Sequence, residues 1–550
     1  MSSPAVTSTT TIPRKFRATV AARRDERAVR TLDPPAAWTW GELERRADSV
    51  ATALRAAGVR PGDSVALLLS NRPEFHAADT GALLAGAVPF SLYNTAPPED
   101  VAFVLGDAGA RVVLTERGLQ DAVRRAVDEH AAPVEHVLLV EDEALWDHPR
   151  GEDHTAAGDD VATIIYTSGT TGWPKGVQLT HANVLWMVQA LSARAGLSPG
   201  MEVIDYLPMA HIAERLNSQY VPLVLGLATT CCPDATQVAA HLAQVRPHFF
   251  FAPPRLWEKL HAAVSAKLGP DADLAAAGPG VLASLGFDRL VNAYVGAAPV
   301  PAEMVRFWRA LGLPLSEEYG LSECTGVATA SPAEVRVGTV GTALDDVELR
   351  IAADGEILIR SPGVMAGYRN APEQTAEAID ADGWLHSGDI GSLDEDGYLQ
   401  VVDRKKELII NAAGKNMSPA NIEARLKAGS PLIGQVCVVG DGRPYNVALV
   451  VVDPHAAGAF AEREGLDARG HTALSADPRV HEEIARGVAA ANIRLARVEQ
   501  IKHFAIVPDD WQPGGEQLTP TMKLKRKPIA ATYATQIEAL YREEHPHASG

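Results

Sequence analysis

Apolar and polar positions alternate along this chain with two periods, first helical and then strand-like. Over residues 40–57, Leu43, Ala47, Val50 and Leu54 recur on one helical face. Thr39 stands where an N-cap belongs and Gly58 where a helix stops. Pro61-Gly62-Asp63 is a turn, and residues 64–69 form a short apolar strand. The alternation continues through residues 75–92, 101–114 and 134–140 and predicts an α/β unit with a largely parallel sheet. Residues 141–160 are acidic and irregular, a connector. An apolar run at 161–166 predicts a buried strand, and Thr180 caps a helix to about residue 193. Further on come a strand at 249–252 that ends at Pro253-Pro254, a strand over 293–300 with the turn Gly296-Ala297-Ala298-Pro299, and a helix over 302–311.

From residue 335 to 402 the period shortens. Asp-Gly turns at Asp354-Gly355, Asp382-Gly383 and Asp396-Gly397 separate brief alternating segments, which predicts antiparallel structure, a small barrel or sheet. The charged run Asp403-Arg404-Lys405-Lys406 closes it, and mixed strands and helices follow. The expected organisation is a tail over 1–15, an N-terminal domain over 16–402 and a smaller α+β C-terminal domain over 403–550.

Composition narrows the functions available. The chain has 550 residues, enough for several domains and a large core. Its net charge of −19 argues against non-specific nucleic-acid binding. If the ligands are anionic, individual basic groups must act against that global field. Cys231, Cys232, Cys324 and Cys437 lack metal-ligand spacing along the sequence and read as buried thiols. Residues 1–13 are rich in Ser and Thr without an apolar core, so they read as a disordered tail, not a signal peptide. No apolar run reaches spanning length. A cytoplasmic enzyme is expected, with attachment to a membrane surface left open.

The candidate chemistry begins at residues 164–176. A buried strand opens into Thr167-Ser168-Gly169-Thr170-Thr171-Gly172-Trp173-Pro174-Lys175. Glycines let several backbone N–H groups face one anion, the hydroxyls add donors, and Lys175 adds charge. This composes a polyphosphate cradle. It is not the common P-loop, because Pro174 precedes the lysine and Gly176 follows it. Pro174 biases Trp173 to an extended conformation, so the loop is expected to continue past Lys175. A second polar loop, Glu317-Glu318-Tyr319-Gly320-Leu321-Ser322-Glu323, follows the 302–311 helix. Taken alone, His211 in Leu207-Pro208-Met209-Ala210-His211 reads as a core histidine. The run Lys523-Leu524-Lys525-Arg526-Lys527 alone reads as a solvated tail.

In this order the motifs resemble those of the adenylate-forming superfamily of acyl-CoA synthetases, luciferases and adenylation domains. The phosphate loop matches at 167–176 and the Tyr-Gly-x-Thr-Glu motif at 319–323, with Ser322 for threonine. Gly-Glu-x-x-Ile-Arg matches at 355–360 and leads to Gly367-Tyr368. Gly-Trp-x-x-Thr-Gly-Asp matches at 383–389, with Ser387 for threonine, and the hinge motif at 403–406. Four stretches look like the long-chain fatty acyl-CoA synthetase branch: residues 207–215, 253–259, 414–419 and 518–526. The segment between Lys259 and Ala293 is shorter than that branch's usual helical insertion, which leaves acyl length open.

The resemblance implies two sheets in a large N-terminal domain, a small barrel and a mobile C-terminal domain. It implies ATP, Mg²⁺ and CoA as reactants and cofactor, with a fatty or related carboxylic acid as substrate. By it, Thr167, Ser168, Gly169, Thr170, Thr171, Gly172 and Lys175 hold phosphates, and Thr167 and Glu323 hold Mg²⁺. Ser322 serves the α-phosphate. Gly296, Ala297, Glu318 and Tyr319 line the adenine, Gly320 belongs to the same cofactor-binding loop, and Asp389 takes the ribose hydroxyls. Arg404 reaches the ribose or phosphate. Lys406 sits at the hinge, and Gly414 lies where the pantetheine arm passes. Lys523 bridges acid and α-phosphate, and His211 belongs to the acid site. Trp173 and Pro174 scaffold a lid over the departing pyrophosphate. Two rival readings remain: a ligase that loads an acyl carrier protein, and a non-catalytic nucleotide- or acyl-binding protein.

Overall fold

Two helices show how the N-terminal half is put together. Thr39 and Glu42 form a reciprocal capping box: Glu42 N donates to Thr39 Oγ1 at 3.2 Å and Thr39 N to Glu42 Oε2 at 2.8 Å. The helix Trp40–Ala56 begins there. It lies against the almost wholly buried helix Pro73–Ala85. Gly81 permits the close approach, because a Cβ there would fall 2.6 Å from Val50 Cβ. Thr180 caps His181–Ala195 in the same manner through Asn183.

This computed structural model describes residues 10–167, 173–269, 271–332, 334–466, 470–519 and 521–542. The candidates Ser168, Gly169, Thr170, Thr171 and Gly172 lie outside the described residues. The parallel strands fall into three hydrogen-bonded groups. One is Val88–Ser91, Ser64–Leu68, Val112–Thr115 and His136–Leu139, parallel throughout. A second orders Arg27–Leu32, Ala228–Cys231 and Glu202–Asp205 in parallel, with Pro35–Thr39 antiparallel at its edge. The third runs Phe249–Ala252, Asn292–Val295 and Leu315–Tyr319 before turning antiparallel. A four-stranded antiparallel sheet, Glu348–Ile351, Glu356–Arg360, Leu385–Leu393 and Leu399–Arg404, covers the region whose period shortens. Beyond it, Ile433–Val439, Asn446–Val452 and Ile501–Val507 pack with helices Pro419–Gly429 and Pro478–Arg494 around a separate apolar core. The α/β class, the antiparallel region and the smaller following unit agree with the patterning.

Three expectations are corrected. Residues 12–15 are not tail: the helix Ile12–Arg23 starts inside that span and buries Ile12, Phe16 and Val20. Pro13 falls in its first turn, where a missing N–H costs nothing. The loop after Thr167 does not continue past Lys175. The strand Lys175–Thr180 begins at the lysine and pairs antiparallel with Val161–Thr167, so that Thr167 faces Lys175. Ladder pairing outweighs the local bias of Pro174. The basic run near the C-terminus is not a solvated tail at Arg526, whose guanidinium holds both oxygens of Glu423 at 2.6 and 2.8 Å. All four cysteines are buried and unpaired as disulfides. Among the described residues, no helix is long and apolar enough to cross a membrane.

Candidate active site

The site is built where strand ends of the N-terminal half meet one turn of the C-terminal unit. Leu315–Tyr319 delivers Glu318 and Tyr319 at its end. Glu318 is buried against the neighbouring strand end. Burial pushes its carboxyl up to about 8, so it holds a proton near neutrality and can donate as well as accept. Its Oε2 has no hydrogen-bond partner among the described residues. A Cβ on Gly296 would meet Glu318 O at 3.0 Å, and Ala297 takes a φ of 68°. Gly296 and Ala297 thus pass close to Glu318, which keeps a buried, unpaired polar atom beside them.

Gly320 next turns the chain into the short 3₁₀ segment Ser322–Cys324, which presents Ser322 and Glu323. A Cβ on Gly320 would lie 2.1 Å from Gly326 O. Gly320→Ala is therefore expected to lower turnover on the order of 10²-fold, by displacing Ser322 and Glu323, with an unchanged circular dichroism spectrum. Steady-state kinetics beside that spectrum checks it, and full activity would show that the loop tolerates the shift.

Glu323 is held from the other side of the site. The Tyr368 hydroxyl donates to Glu323 Oε1 at 2.7 Å, and the Lys175 ammonium sits 4.7 Å from the Tyr368 ring centroid. Gly367–Tyr368 pairs with Lys175–Thr180, so strand pairing fixes this contact. Thr167 Oγ1 donates to Lys175 O at 3.5 Å across the hairpin. Thr167 and Glu323 offer a hydroxyl and a carboxylate, hard oxygen donors that fit Mg²⁺.

Asp389 and Arg404 are direct partners in the Leu385–Leu393 and Leu399–Arg404 ladder. Arg404 Nε contacts Asp389 Oδ1 at 3.0 Å. The Tyr319 hydroxyl donates to Asp389 Oδ2 at 2.6 Å. Burial raises the Asp389 carboxyl above its ordinary range, against the pull of Arg404 and Tyr319.

Lys523 comes from a turn closed by Thr519, whose N donates to Lys523 O at 2.8 Å and whose Oγ1 accepts from Lys523 N at 3.0 Å. Solvent reaches Lys523 along the cleft, yet the protein around it displaces enough water to push its ammonium down from the ordinary lysine value. Arg404 adds to that push, while Asp389, Glu323 and Glu407 oppose it. His211 caps the short helix Ile212–Glu214 and accepts from Ala213 N at Nδ1, 3.2 Å, which leaves the proton on Nε2. Burial, with Lys523 second, pushes its imidazole down to about 4, so it is neutral near pH 7.

These residues, far apart in sequence, are thus linked: Tyr368 joins Lys175 to Glu323, Arg404 holds Asp389, and Lys523 feels Arg404, Asp389 and Glu323 and acts in turn on His211. Lys406 and Gly414 stand outside this cluster. Lys406 is exposed in the turn after Arg404, and the neighbouring Lys405 makes the ion pairs there, with Asp354 and Glu356 at 2.6 and 2.9 Å. Gly414 takes a φ of 73° in an open turn. Trp173 is 56% exposed and stacks on Phe103 at 4.5 Å. Asp403 accepts from Ser418 Oγ at 2.6 Å and Ala420 N at 3.1 Å, so the end of the last antiparallel strand is tied to the following helix.

Two contacts beside these residues are not visible in the sequence. Tyr368 stood in a quoted motif, but its reach to Glu323 depends on strand pairing. Glu407 joins Arg526, 119 residues away, at 3.2 Å, and no local signal connects them.

Comparison with known proteins agrees with this geometry. The AMP-binding enzyme family matches residues 16–369, and the AMP-binding enzyme C-terminal domain matches residues 406–545. Mycobacterium tuberculosis fadD11, which carries the name of a fatty-acid–CoA ligase, is 47% identical over 425 residues, 70% of this chain and 74% of its own. The long-chain-fatty-acid–CoA ligase FadD15 of the same organism is 34% identical over 560 residues, 92% of each chain. Among solved structures, a Mycobacterium tuberculosis fatty acyl CoA synthetase is 25% identical with a TM-score of 0.67, covering 96% of this chain and 99% of its own. An anthranilate CoA ligase in complex with anthranoyl-AMP shares the fold at a TM-score of 0.79 and 18% identity, over 97% of this chain and 99% of its own. The chain belongs to the AMP-binding enzyme family.

Proposed function

We infer that the protein is an AMP-forming fatty-acid–CoA ligase. The observation that carries the reading is the approach of Lys523, from the C-terminal unit, to Asp389, Arg404, Glu323 and His211 of the N-terminal half. A further cation brought from the C-terminal unit to a cluster that already holds Arg404 suits a reaction between two anions. The names of the fadD11 and FadD15 relatives support a fatty acid as the substrate.

In the first step a carboxylate oxygen attacks the α-phosphorus of ATP, the bond to the bridging oxygen breaks, and pyrophosphate leaves. Both reactants are anionic, so charge stabilisation and alignment dominate the barrier. Lys523 would hold the acid oxygen and an α-phosphate oxygen together. Lys175, with residues 168–172, would take the leaving phosphates. Glu318, Gly296, Ala297 and Tyr319 would hold the adenine, Asp389 the ribose hydroxyls, Arg404 the ribose or phosphate, and Ser322 the α-phosphate. Mg²⁺ held by Thr167 and Glu323 would supply charge to the phosphates when bound. In the second step the CoA thiolate attacks the acyl carbonyl and AMP leaves. The neutral His211 beside Lys523 would line the acid and thiol path. The C-terminal unit would turn about the 403–406 segment between steps and bring Gly414 toward the pantetheine arm.

The test is a panel of aliphatic and aromatic acids with ATP and either CoA or a phosphopantetheinylated carrier protein, with AMP and thioester both measured. Aliphatic acids are expected to give AMP and acyl-CoA in equal amounts. Turnover of aromatic acids alone, or of the carrier protein alone, would overturn the assignment.

A further inference from the structure

A second polar centre lies away from the cleft, wholly inside the N-terminal half. His76 comes from the helix Pro73–Ala85, and Asp205 and Cys231 end two adjacent strands. The parallel register pairs Cys231 with Asp205, so both side chains leave the sheet on one face. His76 is 3% exposed and the other two are fully buried. Their donor atoms lie within 4.8 Å of one another.

We propose that His76, Asp205 and Cys231 form a structural site for a zinc-class divalent cation. The first argument is spacing. His76 Nε2 is 3.4 Å from Asp205 Oδ2 and 3.6 Å from Cys231 Sγ. Ordinary zinc bond lengths in a tetrahedron give donor separations of about 3.4 Å for N and O and about 3.6 Å for N and S.

The second argument is the orientation of the histidine. Gln219 Nε2 donates to Asp79 Oδ1 at 3.0 Å, which turns Gln219 Oε1 toward His76 Nδ1 at 2.6 Å. The proton therefore sits on Nδ1, and the Nε2 lone pair faces Asp205 and Cys231. This is the arrangement a metal-bound imidazole takes, its other nitrogen donating to a fixed acceptor. Acceptors that meet in a dry interior are reconciled by a shared proton or by a cation between them, and the donor set here suits the cation.

The third argument is an orphan. Asn71 Nδ2 satisfies Asp205 Oδ1, but Oδ2 is buried without a hydrogen bond. The Glu214 carboxyl lies against Asp205, but its Oε1 is taken up by Tyr206 N at 2.9 Å and Ser218 Oγ at 2.8 Å, so the donors are these three. Imidazole, thiolate and carboxylate together favour zinc over magnesium or calcium. A divalent ion would balance the Asp205 carboxylate and the Cys231 thiolate. It would also anchor the strand end from which the chain runs through Tyr206 and Leu207 to His211.

The experiment is metal content by mass spectrometry on the full chain purified without chelator from zinc-supplemented cells. About one zinc per chain is expected in the wild type and in Glu323→Gln, and much less in Cys231→Ser. Wild-type protein refolded with cobalt should show a thiolate-to-cobalt charge-transfer band in the near ultraviolet, a readout that stands even if Cys231→Ser fails to fold. Wild-type protein with little zinc and no cobalt band would overturn the site, leaving a proton shared among these groups. So would zinc that survives Cys231→Ser and is lost in Glu323→Gln. Neither outcome depends on the ligase assignment.

Discussion

Lys523→Ala is expected to lower acid-dependent ATP–pyrophosphate exchange on the order of 10³-fold, while thioester formation from pre-formed acyl-AMP changes only a few-fold. On the proposed reading the lysine would supply its charge where two anions meet, and among the described residues the other cations nearby are already engaged. Arg404 is already engaged with Asp389, and Lys175 rests on Tyr368. The pH dependence follows from the lowered ammonium pKa. The charge is fully present below that pKa and is lost as pH rises through it, so exchange should fall at a lower pH than an ordinary lysine near 10.4 would allow. Lys523→Arg keeps its charge across this range, so its alkaline decline should vanish even though its rate is reduced. Exchange and thioester assays over a pH series read both effects. If the alanine variant exchanges normally, Lys523 is not the bridging cation. If the arginine variant keeps the same alkaline decline, another group titrates.

The second large effect is on stability. Arg215 and Asp79 form an ion pair with both side chains fully buried. Arg215 also donates to Ser91 Oγ at 2.6 Å and Tyr220 OH at 3.0 Å, and Asp79 accepts from Gln219. Asp79→Ala would leave the guanidinium uncompensated and is expected to cost about 3–5 kcal/mol. In a chain of several cooperative units the measurement is the midpoint of the transition that includes the N-terminal half, expected to fall by roughly 5–10 °C. The double variant Asp79→Leu with Arg215→Met should recover much of the loss, because an apolar pair leaves no stranded charge. A single variant that melts with the wild type would show that the pair contributes little. The residues concerned make a π-helical segment, Arg215–Tyr220, directly after the His211 turn. All six residues of that segment are buried, so its polar side chains must find partners inside the protein.

The helix Trp40–Ala56 was legible because its signals are local: a cap, a stop and a repeated apolar face. The same holds for the Thr180 cap and for the antiparallel segments marked by Asp-Gly turns. The local signal failed where pairing from afar intervened. Pro174 argued for more loop, but the ladder to Val161–Thr167 drew Lys175 into a strand. Residues 12–15 looked like tail because their sequence is short and polar-flanked, and only the surface that receives Ile12 and Phe16 makes them helix.

By itself, then, the sequence determined which segments are amphipathic and where they start and stop, which follows from interactions within a few residues, while the order of its site motifs carried the family resemblance. The tertiary structure alone decided that Tyr368 holds Glu323, that Tyr319 and Arg404 share Asp389, that the charge of Lys523 reaches His211, and that His76, Asp205 and Cys231 converge. Each of these contacts joins elements whose positions are set by strand register and helix packing, and no short-range preference encodes the distance between two elements.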